Sequence, residues 1–220
     1  LSYQNLATNA ESIAEYLQLS DSERPITTLP MHYSYGLSVI NSHLHVNATL
    51  LLTQASISTR EFWDFASRQQ ATSMAGVPYT YQMFKQIRIE NIELPSLRTL
   101  TQAGGRLSTP LVKYFTDLSE KKSWQFYVMY GQTEATARIS YVPLNILKEK
   151  PDSIGVAIPK GKLSIDAETS ELIYQGPNVM MGYAESSEDL AKGDELNGLL
   201  KTGDFAKQDK DGFFSITGRS

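Results

Sequence analysis

The chain contains no cysteine, so no disulfide framework can staple it and no thiolate is available for catalysis or metal binding. A cysteine-free chain suits a reducing compartment, and the expected location is the cytoplasm. Histidine is scarce, with three in 220 residues. Two of them, His43 and His45, stand two positions apart; on a helix they face different directions and make a poor metal pair. Positive charge is not in excess either. Twenty Lys and Arg stand against 24 Asp and Glu, a formal net charge of −4, and the isoelectric point lies near 5.4. Nothing in that balance points to a nucleic-acid surface. A long apolar run is also missing: the best stretch, Gly36 to Leu52, is broken by Ser42, His43, His45 and Asn47. No segment therefore reads as a membrane span, and no signal peptide is evident. The chain carries no repeat, no metalloprotease histidine motif, no nucleophile-elbow serine and no Walker-type lysine loop.

Hydrophobic residues make up 41%, enough for a real core. Residues 3 to 19 carry Leu6, Ala10, Ile13, Ala14 and Leu17 at helical spacing. A short strand is expected between Pro25 and Pro30, a helix from Gly36 to Val46, and an apolar strand from Ala48 to Leu52. Ser58, three residues before Glu61, has capping-box spacing and is the expected cap of the next helix. Further strands are expected over Thr72–Val77, Leu97–Ala103 and Trp124–Met129. Helices opening at Pro78 and at Pro110 fall between them, the second capped near Ser108 or Thr109. Strand–helix alternation of this kind argues for an α/β fold, a largely parallel sheet covered by helices. After residue 142 glycine and proline punctuate short apolar runs. Strands are expected at Lys162–Asp166, Glu171–Tyr174, Leu200–Thr202 and Phe213–Thr217, as a small β-rich, barrel-like subdomain. The expected division is 1–142 and 143–220.

The strand ending at Met129 runs into Tyr130-Gly131-Gln132-Thr133-Glu134. These residue types suit a nucleotide: a flat aromatic face, a glycine allowing close backbone approach, a hydroxyl donor, and a carboxylate for a hard cation. Gly104-Gly105 follows another strand, and paired glycines leave backbone free to meet a flat base, although such a turn by itself is more often only a turn. Asp204, in Lys201-Thr202-Gly203-Asp204, can accept both hydroxyls of a ribose. Arg219 could reach a ribose or phosphate oxygen, or serve as a solvated surface charge.

Read in order, these segments resemble one family. They are Leu29-Pro30-Met31-His32-Tyr33-Ser34-Tyr35-Gly36, Ala103-Gly104-Gly105-Arg106-Leu107 and Tyr130-Gly131-Gln132-Thr133-Glu134. They continue through Gln175-Gly176-Pro177-Asn178-Val179-Met180-Met181-Gly182-Tyr183, Lys201-Thr202-Gly203-Asp204 and Asp211-Gly212-Phe213-Phe214-Ser215-Ile216-Thr217-Gly218-Arg219. The series is similar to the adenylate-forming superfamily of acyl- and aryl-CoA ligases, beetle luciferases and peptide-synthetase adenylation domains, over nearly the whole chain. The resemblance implies that Gly104, Gly105 and Arg106 frame an adenine and Tyr130 stacks on it, with Gly131 and Gln132 in the same loop. It implies that Thr133 contacts the AMP phosphate, Glu134 binds Mg²⁺, and Asp204 and Arg219 hold the ribose. Tyr33 matches the aromatic residue gating the acyl pocket, with Tyr35, Val77 and Pro78 near the acyl group. Arg106 stands where the ligases usually carry a small residue. That change is harmless if the contact runs through backbone, and otherwise weakens the adenine assignment.

By the same resemblance, a phosphate-binding loop belongs just upstream of Leu1 and a small lysine-bearing domain just past Arg219. A start at Leu1 and a stop at Ser220 then suggest a piece of a longer protein. The implied activity is ATP-dependent activation of a carboxylic acid as acyl-adenylate, followed by transfer to a thiol, CoA or a carrier-protein pantetheine. The alternatives are a non-catalytic nucleotide-binding relic and an amino-acid-activating domain. Peptide-synthetase domains place an aspartate after the gating aromatic to hold the substrate ammonium; here that position is Ser34, which favours a fatty or aryl acid.

Overall fold

The computed structural model describes residues 1–219. The chain forms α1 (Tyr3–Tyr16), β1 (Pro25–Ile26), α2 (Ser34–His45), α3 (Arg60–Arg68), β2 (Ser73–Gly76), α4 (Pro78–Gln86), β3 (Thr99–Gln102), α5 (Thr109–Lys122) and β4 (Gln125–Tyr130). It continues with β5 (Ser140–Tyr141), α6 (Leu144–Leu147), β6 (Val156–Ala157), β7 (Lys162–Ile165), β8 (Glu171–Gln175), β9 (Leu199–Gln208) and β10 (Phe214–Arg219). Strands β1 to β6 form one sheet in sequence order, parallel from β1 to β4 and antiparallel at the β5–β6 edge. Strands β7 to β10 form an open antiparallel sheet whose end strands do not pair, a half-barrel. The expected α/β architecture with a β-rich second part is the one observed.

Each parallel strand is buried on both faces, and side-chain alternation splits the interior in two. Met74, Leu100, Phe126 and Val128 face α3, α4 and α5, joining Phe62, Phe84 and Phe115 in one core. Ala75, Ala103, Tyr127 and Met129 face the other way, toward α1 and α2, with Ile13, Tyr16 and Tyr35. The half-barrel feeds this second core through Leu163, Leu172, Tyr174, Leu200, Ala206 and Phe214. One continuous apolar cluster therefore glues the second sheet to the helix pair and to one face of the first sheet.

Several boundaries differ from expectation for local reasons. Ala48–Leu52 does not become a strand; Leu51 makes one isolated bridge to Ile26, because β1 offers only two residues to pair with. Thr59, not Ser58, precedes α3, and no side chain caps that helix; the Ser58 hydroxyl is turned to Ser56 at 2.9 Å. Ser108 precedes α5, and the Thr109 hydroxyl is drawn off to Asp152. Helix α1 does carry a capping box, Ser2 with Asn5. The change of texture at residue 142 does not coincide with the change of sheet, since β6 still pairs with β5. No helix among the described residues is long and apolar enough to cross a membrane.

Candidate functional site

The carboxyl ends of β3 and β4 open onto a cleft of about 490 Å³, roofed by β9 and β10 of the half-barrel. Parallel strands deliver their following loops to this edge, which is where open α/β sheets bind ligands.

Two features of the β4 loop explain its shape. Gly131 sits where the chain doubles back: a Cβ there would overlap the Ala137 carbonyl, so only glycine fits. Thr136 and Ala137, at φ 57° and 92°, complete the reversal. The loop is then pinned from behind by Asn178, whose Nδ2 donates to the Ala135 carbonyl at 2.7 Å and the Arg138 carbonyl at 3.0 Å. Beneath it lies Arg138, 1% exposed and without an ion-pair partner among the described residues. Its guanidinium donates to the Tyr16 hydroxyl (2.9 Å), the Met129 sulfur (2.8 Å) and the Ser38 hydroxyl (3.2 Å), and lies 4.6 Å from the Tyr35 ring centre.

Asp204 arrives from the other sheet. The strand expected to stop at Thr202 runs on, and Thr202-Gly203-Asp204 is a bulge inside the ten-residue β9. Residues 202 to 204 bulge out opposite Leu172 alone, between the Ile173–Lys201 and Glu171–Phe205 pairs. The extra residues turn the Asp204 side chain into the cleft. The Tyr130 hydroxyl donates to Asp204 Oδ2 at 2.6 Å, and Gln132 Nε2 donates to the same oxygen at 3.1 Å. Gln132 also reaches the Thr202 carbonyl at 2.7 Å. Burial, then the adjacent Asp204 carboxylate, push the Tyr130 phenol well above its ordinary range, so it is a permanent donor. Asp204 Oδ1 faces Arg219 Nε at 3.7 Å. Loop and bulge are thus clasped across the cleft.

On the floor, Gly104 and Gly105 take positive φ, 75° and 154°. A Cβ on Gly104 would overlap the Tyr33 hydroxyl and lie 3.1 Å from Val77 Cγ1; one on Gly105 would lie 3.2 Å from Pro78 Cγ. Tyr33 lines the cleft, while Val77 and Pro78 back the glycine pair. Tyr35 does not line the cleft: it is 3% exposed, and its hydroxyl is spent on the Thr101 carbonyl at 2.9 Å. Burial raises that phenol to about 12. The Arg106 side chain pairs with Asp152 at 3.2 Å, and both residues line the cleft. Thr133 Oγ1 lies 3.0 Å from Ser34 Oγ at the start of α2.

Sequence reasoning missed Gln102, Asp152 and Ile216, which also line the cleft. Gln102 pins the glycine turn by donating to the Gly105 carbonyl at 2.9 Å. Its signal was present: an amide ending an apolar strand just before two glycines. Ile216 needed the β10 register, which sequence does not carry.

Glu134 is the only acid of the β4 loop, and the described residues hold no group of three or more acids, histidines or cysteines able to cage a metal. A single carboxylate on a cleft suits Mg²⁺ only where phosphate oxygens supply further ligands, a common arrangement for that ion. The residues present therefore fit Mg²⁺ brought with a nucleotide.

A glycine pair and a Tyr-Gly-Gln-Thr-Glu loop on the carboxyl edge of a parallel sheet, roofed by an antiparallel half-barrel, is the large-domain architecture of adenylate-forming enzymes. The chain belongs to the AMP-binding enzyme family, whose sequence model matches residues 1–184. It is 26% identical over 232 residues to a feruloyl-CoA synthase of Amycolatopsis sp, covering 100% of this chain and 46% of that one. Among solved structures it is similar to VinN in complex with L-aspartate, at 27% identity and TM-score 0.81, covering 98% of this chain and 55% of that one. It shares the fold of the Bacillus subtilis o-succinylbenzoate-CoA synthetase crystallised with ATP and magnesium, at 24% identity and TM-score 0.83, covering 99% and 46%. The chain spans about half the length of the curated relatives it matches.

Proposed function

We propose that this chain is the AMP- and acyl-binding part of an AMP-forming acid–thiol ligase. The observation that carries the reading is the clasp of Tyr130 and Gln132 on Asp204, which joins the two sheets across a cleft floored by paired glycines. In this reading the adenine lies between the Gly104-Gly105-Arg106 backbone and the Tyr130 face. Asp204 Oδ1 accepts from the ribose hydroxyls, its Oδ2 being committed to the protein, and Arg219 assists. Thr133 donates to the α-phosphate.

A substrate carboxylate oxygen attacks the α-phosphorus of ATP, the α–β bridging bond breaks, and pyrophosphate leaves. A thiol, of CoA or of a carrier pantetheine, then attacks the acyl carbon and AMP departs. Bound Mg²⁺ would supply charge neutralisation at the phosphate oxygens. Glu134 would hold that ion, and the Thr133 and backbone donors are fixed before reaction and need no reorganisation. Tyr33 stands between the glycine pair and the acyl side, with Val77, Pro78 and the more deeply buried Tyr35 behind.

The favoured acid is fatty or aryl, because Ser34 offers no charge to hold an ammonium group. The feruloyl-CoA synthase relative agrees with an aryl acid. A second reading, activation of an amino acid, is supported by the likeness to VinN with bound L-aspartate. Pyrophosphate exchange on the full-length protein, with alkanoates, arylates and amino acids compared, separates the two; preference for an amino acid overturns the first. The 220-residue chain alone is expected to bind AMP yet release little pyrophosphate. Among the described residues lining its cleft the cations are Arg106 and Arg219, and no lysine is among them to match a triphosphate-binding one. Failure to bind AMP would defeat the reading; robust pyrophosphate release would defeat the inactivity of the isolated chain.

A further inference from the structure

The connection from β8 to β9, residues 176 to 198, lies against the β4 loop for much of its first half. Asn5 Nδ2 donates to the Pro177 carbonyl at 2.8 Å, Thr136 Oγ1 to the Asn178 carbonyl at 2.6 Å, and the Met180 amide to the Glu134 carbonyl at 2.8 Å. Val179 and Met180 are buried beneath it. Past Gly182 the next side chain, Tyr183, stands 69% exposed. A ring that exposed buries little apolar surface, so packing does not account for its position. Its hydroxyl does one specific thing: it donates to Glu134 Oε1 at 2.7 Å. Glu134 Oε2 accepts no hydrogen bond from the described residues.

We propose that Tyr183 is a positioning residue for Glu134, fixing one carboxylate oxygen so that the other is presented to a divalent cation. This rests on the reading that Glu134 binds that cation. Three torsions separate the Glu134 carboxylate from its backbone, and without a partner the group would sample many directions. The strap removes that freedom at both ends: Met180 holds the Glu134 backbone and Tyr183 holds its tip. Hydrogen-bonded partners of ligating carboxylates orient the ligand, and removing such a partner typically costs metal affinity tenfold or more.

The test is Mn²⁺ binding to the full-length protein saturated with ATP, followed by the electron paramagnetic resonance of free Mn²⁺. Metal-free ATP affinity is measured in parallel by calorimetry. Tyr183→Phe is expected to weaken Mn²⁺ about tenfold and to leave metal-free ATP affinity within about twofold. Glu134→Gln should weaken Mn²⁺ at least as much, and the double variant should be no worse than Glu134→Gln alone. Because Tyr183 is exposed, the Phe variant should melt with the wild type, which circular dichroism checks. If Glu134→Gln loses Mn²⁺ while Tyr183→Phe retains it, the positioning role is wrong and the cation reading stands. If Glu134→Gln retains Mn²⁺ as well, the cation reading falls and takes the positioning role with it. If Tyr183→Phe loses metal-free ATP affinity in the same proportion, Tyr183 supports the loop in general and the proposal is overturned.

Discussion

At the scale of single residues, Asp204 has the most demanding position: a carboxylate about one-tenth exposed whose nearest cation is 3.7 Å away. Burial of such a charge costs several kcal/mol unless hydrogen bonds replace water. The Tyr130 and Gln132 donors do so on one oxygen, and a ribose would do so on the other. Asp204→Asn keeps the shape and removes the charge. It is expected to weaken AMP binding by about 2 kcal/mol, roughly thirtyfold in Kd. Tyr130→Phe keeps the aromatic face and should lose less, within about fivefold. Calorimetric titration with AMP ranks the two; the reverse order would mean that the phenol, not the carboxylate, meets the nucleotide. His43 gives a pH prediction. Its ring is buried, Nδ1 lies 2.7 Å from the Val39 carbonyl, and Nε2 has no partner among the described residues. Burial holds its pKa below the ordinary value of 6.5 despite that backbone contact. The unfolded chain therefore takes up a proton first as pH falls, so this contribution to stability is complete above about pH 6.5 and declines below it. The urea midpoint should drop between pH 7.5 and 5.5, and His43→Gln should shrink that drop; an unchanged drop would assign the dependence to other groups.

At the scale of elements, most helices and the parallel strands were readable because each rests on a local pattern. Pro78 opens α4, and Trp124–Met129 anticipates β4 to within one residue. What could not be read was anything depending on register. The β9 bulge is invisible because Thr-Gly-Asp is an ordinary turn signal; only the pairing of β8 with both flanks of β9 makes it a bulge. The two-residue strands β5 and β6 carry no periodicity, and they exist because β4 presents an open edge. The site followed the same rule: motif residues were found, whereas Gln102 and Ile216 needed the fold. Arg138 was likewise passed over. It joins α1, α2 and β4 through Tyr16, Ser38 and Met129, beneath the loop that carries Thr133 and Glu134. Every one of those partners is neutral, so the arrangement satisfies hydrogen bonds without supplying a counter-charge. Replacing a buried charge with an apolar side chain of similar volume is often neutral, whereas truncation leaves a cavity. Arg138→Met should stay within about 1 kcal/mol of the wild type, and Arg138→Ala should lose about 3 kcal/mol or more. Equal, large losses in both would show that the cation itself holds the elements together.

At the scale of the whole molecule, the cleft is the seam between two sheets that share one apolar cluster but meet at the ligand side through few polar contacts. A nucleotide held by the β4 loop on one wall and by Asp204 on the other would add contacts across that seam and stabilise both sheets together. Linkage sets the size: at a hundred times Kd a ligand adds about 2.7 kcal/mol. For a chain of this length that raises Tm by about 5–10 °C. In Asp204→Asn, with Kd thirtyfold weaker, the same AMP concentration is only about three times Kd; the gain falls to about 0.8 kcal/mol, or about 2–3 °C. Hydrogen exchange locates the effect. With AMP, the Tyr130–Glu134 loop and the Thr202–Asp204 bulge should slow together, because one ligand closes both, while the α3–α5 face should change little. Protection confined to the β4 loop would mean that the nucleotide is gripped from one sheet only. The half-barrel would then be a roof over the cleft, and the clasp on Asp204 a structural contact with no part in binding.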